Sequence, residues 1–181
     1  MSKIVAIVGM CGSGKSVATD ILEKEFNYKK VYFGGVTMEK LKEANLEVTP
    51  ENEKMMREGL RKELGMGAFA QILLPKIEEL SSNFDVVLDG LYSWDEYKIL
   101  NEALKDKLVM IAIIADKNIR YQRLSEREIR GLNNEQAKSR DIAEIENSAK
   151  GGPISYADYY ILNNGTIDEY RRRLLNIINN L

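Results

Sequence analysis

The chain has 181 residues and a formal net charge of −2, with one Cys and no His. This length suffices for one domain with a real hydrophobic core. The absence of His excludes nucleophile activation by imidazole, His acid–base chemistry and metal sites with imidazole ligands. A single Cys excludes an internal disulfide and a Cys-rich zinc site, as is typical of a reducing compartment. The chemistry that remains is that of carboxylates, Lys, Arg, hydroxyls and backbone groups.

The charge balance and the hydropathy pattern exclude further classes of partner. Proteins that neutralise many phosphates usually have a strongly basic balance, so we expect no binding to nucleic acid. The longest apolar run, residues 108–115, is far shorter than the roughly 20 residues of a membrane span. The apolar segment at residues 4–8 leads directly into glycines and Lys15, unlike a signal peptide. We therefore predict a cytoplasmic monomer or homodimer without membrane contact.

Short apolar segments alternate with longer helical segments along the chain. Five strands are predicted, at residues 3–8, 30–33, 85–89, 108–115 and 158–162. Their apolar residues are mostly consecutive, which is typical of strands buried on both faces of a parallel sheet. The order predicts a single α/β domain. Two helix-rich stretches, residues 36–80 and 117–150, interrupt it, and such insertions usually cover a ligand site at the strand ends.

Three helices have recognisable starts. Thr49 precedes Pro50, which indicates an N-cap followed by a proline in the first turn. Ser93 and Thr166 are each followed by Glu three residues later, and this spacing predicts capping boxes.

A glycine-rich segment joins the first predicted strand to a helix over residues 16–26. Its sequence is Gly9-Met10-Cys11-Gly12-Ser13-Gly14-Lys15-Ser16, which fits G-x-x-x-x-G-K-[ST]. Glycines let successive backbone N–H groups curve around an oxyanion, and the following helix adds its positive end. The alternative is an ordinary glycine-rich turn. The motif predicts ATP and Mg²⁺ as cofactors, bound by Gly9, Gly12, Ser13, Gly14, Lys15 and Ser16.

Within this motif, Lys15 is predicted to reach the β- and γ-phosphates and the Ser16 hydroxyl to bind Mg²⁺. A second metal ligand is predicted at Asp89, where an apolar strand ends before Gly90. A carboxylate at the carboxyl end of a parallel strand faces the ligand crevice and can bind Mg²⁺ directly or through water. The alternative is an Asp-Gly turn.

These motifs, followed by an Arg-rich helix, Arg140-Asp141 and Asn164-Gly165, resemble a known family in their order. The chain resembles the nucleoside monophosphate kinase and dephospho-CoA kinase group of P-loop kinases, and is most similar to an adenylate-kinase-related branch. The resemblance covers essentially the whole chain. It implies a single domain over residues 1–181 with the three-layer α/β/α P-loop NTPase fold and a five-stranded parallel sheet. The implied parts are a core (1–35, 81–116 and 151–181), a helical substrate-binding insert (36–80) and a lid (117–150).

The resemblance also implies roles for four residues outside the phosphate loop. Arg57 and Arg61 are four residues apart on one helix face, where they would bind the acceptor; a solvated face is the alternative. Asn163-Asn164-Gly165 resembles the turn that packs on adenine in these kinases, so that Asn164 and Gly165 would bind the nucleotide. The alternative is a polar turn before the Thr166 cap.

Four arginines in the lid region are spaced for one helix face: Arg120, Arg123, Arg127 and Arg130. A closing lid would place two or three of them on the phosphates, where they would stabilise transition-state charge. The alternative is a solvated face, since interleaved Glu residues can pair locally. Arg123 and Arg127 are predicted to be catalytic, together with Lys15 and Asp89.

Two departures from the family pattern concern the acceptor. Such kinases commonly have Gly-Asp after the second strand, where this chain has Gly34-Gly35. They often have an Arg after the third strand, where this chain has Leu91 and Tyr92. Phosphoryl transfer depends mainly on positioning and charge neutralisation, so catalysis is still expected. The sequence predicts an ATP- and Mg²⁺-dependent phosphotransferase acting on a small nucleotide- or nucleoside-like metabolite. The alternative is a regulatory P-loop ATPase without a small-molecule acceptor.

Overall fold

The computed structural model describes residues 2–128 and 131–181. In chain order its elements are β1 (Ile4–Val8), α1 (Lys15–Phe26), β2 (Lys29–Tyr32), α2 (Gly34–Glu43), α3 (Pro50–Leu64), α4 (Ala68–Ser81), β3 (Val86–Asp89), α5 (Trp94–Leu104), β4 (Leu108–Ile114), α6 (Lys117–Ser125), α7 (Asn134–Glu146), α8 (Gly151–Ser155), β5 (Tyr159–Leu162) and α9 (Ile167–Ile178). A short 3₁₀ turn over Lys105–Lys107 precedes β4.

The strands form one parallel sheet in the order β2-β3-β1-β4-β5. Each predicted strand is present, with its ends within one residue of the prediction. The central strand β1 lies between β3 and β4, so that Ile7 is opposite Asp89 on one side and Ile111 on the other. The carboxyl ends of these strands therefore meet at one edge of the sheet, where α/β proteins bind ligands.

Helices cover both faces of the sheet, which confirms the predicted three-layer architecture. Ala6 and Leu88 point to one face, into a core that includes residues of α2, α3, α4 and α5. Val5 and Val87 point to the other, into a core shared with α1 and α9. Because alternate residues of one strand enter different cores, an apolar residue is required at nearly every position.

The predicted helix starts are also present. The Thr49 hydroxyl accepts a hydrogen bond from the backbone N–H of Asn52 at 3.2 Å, and α3 begins at Pro50. Both capping boxes, at Ser93 and at Thr166, are complete. A further capping box at Asn133, at the start of α7, was not predicted.

Helices α2, α3 and α4 occupy the predicted insert, and α6 and α7 occupy the predicted lid region. That these regions bind an acceptor and close over the site stays a prediction. Arg130 lies outside the described residues. None of the helices in the described part of the chain combines the length and the apolar composition that a membrane crossing requires.

Truncating the core residue Leu174 tests the packing of α9. Leu174 is fully buried in this helix, whereas Ile167 in its first turn is 57 % exposed. We expect Leu174→Ala to lower the free energy of unfolding by about 2–5 kcal/mol, through lost burial and the cavity left behind. Ile167→Ala, the matched control, should change it by less than about 0.5 kcal/mol. Urea unfolding measures both, and equal losses would contradict the described packing.

Candidate functional site

The glycine-rich segment forms an open loop between the end of β1 and the start of α1. Gly12 and Gly14 have φ angles of 80° and 99°, values that favour glycine. A Cβ on Gly14 would lie 2.4 Å from Nδ2 of Asn163, so a side chain has no room there. Gly14 is the N-cap of α1, and no side chain of the described residues caps this end. The first N–H groups of α1 therefore remain available to an anion.

Four side chains hold the loop by donating hydrogen bonds to its carbonyl oxygens. The pairs are Lys15 Nζ to Met10 O (3.0 Å), Arg120 Nη1 to Cys11 O (3.0 Å), Asn163 Nδ2 to Ser13 O (2.8 Å) and Tyr170 Oη to Gly14 O (3.0 Å). Satisfying the carbonyls from outside fixes the curvature of the loop. The sequence did not predict the donors Asn163 and Tyr170, because both are distant in sequence and resemble ordinary turn and core residues.

Lys15 is held in an environment that disfavours its charge. Burial and the nearby ammonium of Lys150 lower the pKa of Lys15 to about 7. An anion bound beside Lys15 would favour the charged form again. A bound anion would therefore increase the positive charge on Lys15.

A cavity of about 530 Å³ opens beside the loop, at the carboxyl edge of the sheet. It brings together four of the predicted site residues, in addition to the loop glycines: Lys15, Ser16, Asp89 and Arg127. Lys30 and Arg140 add two further cations, and Tyr32 and Tyr92 add aromatic surface. Among the described residues, Asp89 is the single carboxylate of the lining.

The predicted Mg²⁺ ligands lie in the wall of this cavity. The Thr19 hydroxyl has two possible acceptors for its one proton, the Ser16 carbonyl oxygen at 3.0 Å and an Asp89 carboxylate oxygen at 3.4 Å. A hydroxyl and a carboxylate are oxygen donors, and Mg²⁺ is usually held by one or two such groups with water and substrate phosphates. Ser16 and Asp89 therefore fit Mg²⁺, and their role as its ligands stays a prediction.

Lys30 is a site residue that the sequence did not single out. Its ammonium lies 2.8 Å from a carboxylate oxygen of Asp20 and 3.6 Å from one of Asp89. Burial acts to lower the pKa of Lys30, but the two carboxylates raise it above its ordinary value. The sequence signal that could have identified Lys30 is its charge within a predicted strand.

The prediction that the arginines of the lid region share one helix face is wrong, because α6 ends at Ser125 and Arg127 lies beyond it. Arg120 is buried and makes two hydrogen bonds to Asp141, at 2.8 and 2.6 Å, besides its bond to the Cys11 carbonyl. Arg123 is half-buried, and its Nη1 has no hydrogen-bond partner among the described residues. Arg127 is exposed and lines the cavity. The catalytic roles of Arg123 and Arg127 stay predictions.

The two arginines predicted to bind the acceptor lie on α3. Arg57 is 3.4 Å from a carboxylate oxygen of Glu53. The Arg61 guanidinium lies 5.5 Å from the ring centre of Phe69, and burial lowers the pKa of Arg61. Neither contact involves the phosphate loop, and acceptor binding by this pair stays a prediction.

The turn after β5 supports the site rather than lining it. Asn163 binds the loop, as described above, and the Asn164 side chain accepts a hydrogen bond from the Asp116 backbone N–H at 2.9 Å. This bond joins the turn to the end of β4. Packing of Asn164 and Gly165 on adenine stays a prediction.

Aromatic side chains lie near the two positions where the family pattern has an Asp and an Arg. Gly34 begins α2 beneath the Tyr32 ring, and a Cβ on Gly34 would lie 2.3 Å from that ring. Leu91 is buried and Tyr92 lines the cavity. The acid that the family pattern has after the second strand is therefore absent at Gly34-Gly35.

The sheet order, the loop and the cavity define a nucleotide-binding P-loop domain with a kinase-like fold. A family model described as "AAA domain" matches residues 5–141. The chain belongs to the UPF0200 family: it is 31% identical to a UPF0200 protein of Thermococcus sibiricus, covering 94% of this chain and 91% of that protein. A UPF0200 protein of Aeropyrum pernix is 35% identical, over 92% of this chain and 87% of that protein.

Solved structures of low sequence identity share the fold. TT1252 from Thermus thermophilus superposes with a TM-score of 0.65 at 17% identity, covering 99% of this chain and 98% of that one. A shikimate kinase from Bacteroides thetaiotaomicron gives a TM-score of 0.61 at 13% identity, covering 99% of both chains. The similarity extends over the sheet and both helical layers.

Removing the Tyr170 hydroxyl tests the support of the phosphate loop. We expect Tyr170→Phe to lower the free energy of unfolding by about 1–2 kcal/mol, because the Gly14 carbonyl loses a part-buried donor. Affinity for Mg²⁺-ATP should fall as well. The control is Tyr160→Phe, whose exposed hydroxyl donates to the Ser155 carbonyl and can be replaced by water. Similar behaviour of the two variants in urea unfolding and nucleotide titration would count against the support role.

Breaking the Arg120–Asp141 pair tests whether Arg120 is structural. We expect Arg120→Met to destabilise the protein by about 3–5 kcal/mol, since it leaves the buried Asp141 carboxylate uncompensated. Arg127→Met, at an exposed position, should alter stability by less than about 0.5 kcal/mol. Thermal or urea unfolding compares the two. An Arg120 variant as stable as the parent would refute the structural assignment.

Proposed function

We propose that the protein is an ATP- and Mg²⁺-dependent phosphotransferase that acts on a small nucleotide- or nucleoside-like metabolite. The observation that supports this most is the convergence of Lys15, Ser16, Asp89 and Arg127 on one cavity beside an uncapped helix start. Open N–H groups, a lysine and a carboxylate are the parts that P-loop enzymes use on nucleotide phosphates.

In the proposed reaction the bond between the γ-phosphorus and its bridging oxygen breaks, and a bond to an acceptor oxygen forms. The bridging oxygen leaves with its electron pair on ADP, and the proton of a hydroxyl acceptor passes to water or phosphate. Loop N–H groups hold the phosphates, Lys15 offsets charge on the β- and γ-groups, and Arg127 approaches the transferred group. Mg²⁺ bound near Ser16 and Asp89 would neutralise charge on the phosphates.

The proposed class of acceptor is inferred from the residues that line the cavity. Tyr32 and Tyr92 present ring surface beside the charged groups, and aromatic rings stack well on planar heterocycles. The cations Lys30 and Arg140 lie in the same lining. A molecule with a planar base and polar substituents matches this combination.

Replacing Lys15 tests the proposed activity. Lys15→Ala should lower ATP turnover at least about 100-fold, because the γ-phosphate loses its principal cation in the transition state. The fold should persist, since Lys15 is half-buried at the wall of the cavity and its charge is disfavoured there. Lys24→Ala, at an exposed position on the same helix, should retain parental turnover. Undiminished ATP consumption by a folded Lys15→Ala variant would refute the proposal.

A second candidate is a regulatory ATPase that hydrolyses ATP slowly and has no small-molecule acceptor. The absence of an acid at Gly34-Gly35 favours it, because no side chain there can take a proton from an acceptor hydroxyl. A screen of ATP consumption with nucleosides, nucleotides and cofactor precursors separates the two candidates. A kinase consumes ATP much faster with one of these compounds, whereas a regulatory ATPase keeps the same slow rate with all of them.

A further inference from the structure

A buried carboxylate of the lid region binds the phosphate loop directly. Glu144 of α7 is 6% exposed. Its Oε2 accepts from the Cys11 backbone N–H at 3.2 Å and from the Lys150 ammonium at 2.7 Å. Its Oε1 accepts from Arg140 Nε at 3.1 Å. Burial acts to raise the pKa of Glu144, but Lys150, Lys15 and Arg140 lower it below its ordinary value.

The donors around Glu144 form an anion site. A backbone N–H of a glycine-rich loop and two side-chain cations are the groups that bind phosphoryl oxygens in proteins. The Lys150 ammonium lowers the pKa of Lys15, and the Glu144 carboxylate acts to raise it. The carboxylate thus occupies an anion position next to the lysine that is predicted to reach the γ-phosphate.

This anion site adjoins the cavity. The three groups that contact Glu144 and Lys150 from the cavity side are Cys11, Arg140 and Tyr92, and all three line it. The Lys150 ammonium lies 4.5 Å from the centre of the Tyr92 ring. Lys150 is itself 1% exposed, and a buried ammonium requires a compensating anion.

We propose that Lys150 is a further catalytic residue that binds the transferred phosphoryl group. Until the nucleotide enters, the Glu144 carboxylate occupies the position of that phosphoryl group at the phosphate loop. The inference rests on the proposed function. The γ-phosphoryl group replaces the Glu144 carboxylate beside the Cys11 N–H, Lys150 and Arg140. An anion is exchanged for an anion, so no buried cation is left uncompensated.

In the transfer step, Lys150 and Arg140 donate to oxygens of the γ-phosphoryl group as its bond to ADP breaks and its bond to the acceptor forms. The two cations offset the negative charge on these oxygens, and neither loses a proton. Glu144 does no chemistry in the step. It opposes the binding of nucleotides that place a phosphate at this position, and so lowers the affinity for ATP more than that for ADP.

Four variants test the proposal: Lys150→Met, Lys150→Arg, Glu144→Gln and the control Glu146→Gln, which lies at an exposed position on α7. Turnover of Mg²⁺-ATP is measured as kcat and KM, ATP and ADP affinities by calorimetry, and folding by thermal denaturation. We expect Lys150→Met to lower kcat about 100-fold, the loss typical of one transition-state donor, with KM changing far less. Lys150→Arg should recover much of that loss, and Glu146→Gln should match the parent.

Glu144→Gln keeps the test informative if Lys150→Met fails to fold. The Gln carbonyl can still accept from the Cys11 N–H, but it no longer offers the charge that Lys150 requires. We expect ATP affinity to rise about five-fold or more, the size of a typical coupling between sites, with ADP affinity nearly unchanged. The rise in melting temperature on adding ATP should exceed that of the parent.

Two patterns would overturn the inference while leaving the proposed function intact. One is a folded Lys150→Met variant with parental kcat; the other is a Glu144→Gln variant with the parental ratio of ATP to ADP affinity. A parent protein that neither binds nor turns over ATP would instead overturn both the proposed function and this inference.

Discussion

The rest of the site depends on one set of interactions: side chains donate hydrogen bonds to the carbonyl oxygens of the phosphate loop. A loop that presents its N–H groups to one side turns its carbonyls to the other, and buried carbonyls need donors. Here the donors come from α6, from the turn after β5 and from α9, in addition to Lys15 itself. The loop is therefore shaped by residues that lie far from it in the sequence.

Features that depend on residues close in sequence were predicted well, and features that depend on distant residues were not. Strands such as β4 were predicted to within one residue because burial on both faces demands an uninterrupted apolar run. The caps at Ser93 and Thr166 were predicted because they depend on residues three positions apart. Asn163, Tyr170 and Glu144 act across 133 to 156 positions, and no local pattern marks a residue whose partner is that remote.

The arginines of the lid region show that residue spacing alone does not predict which side chains find a partner. Their spacing predicts one helix face, but α6 ends at Ser125, so that Arg120 and Arg123 lie on the helix and Arg127 lies beyond it. Arg120 meets the buried Asp141 and becomes structural, whereas Arg127 remains exposed at the cavity. The overall charge of −2 likewise gave no indication that four cations, Lys15, Lys30, Arg127 and Arg140, line one cavity. The positions of these cations, and not the net charge of the protein, determine the charge of the cavity.

The backbone of Cys11 is held at both ends, its carbonyl by Arg120 and its N–H by Glu144. Neither contact uses the sulfur, and no other cysteine exists in the chain. Cys11 is half-buried and is among the residues that line the cavity. A thiol reagent would therefore modify a single, known atom, and the rate of that modification would report whether the cavity is open or filled. A label attached to the Cys11 sulfur would lie at the wall of the cavity that Lys15 and Asp89 also line.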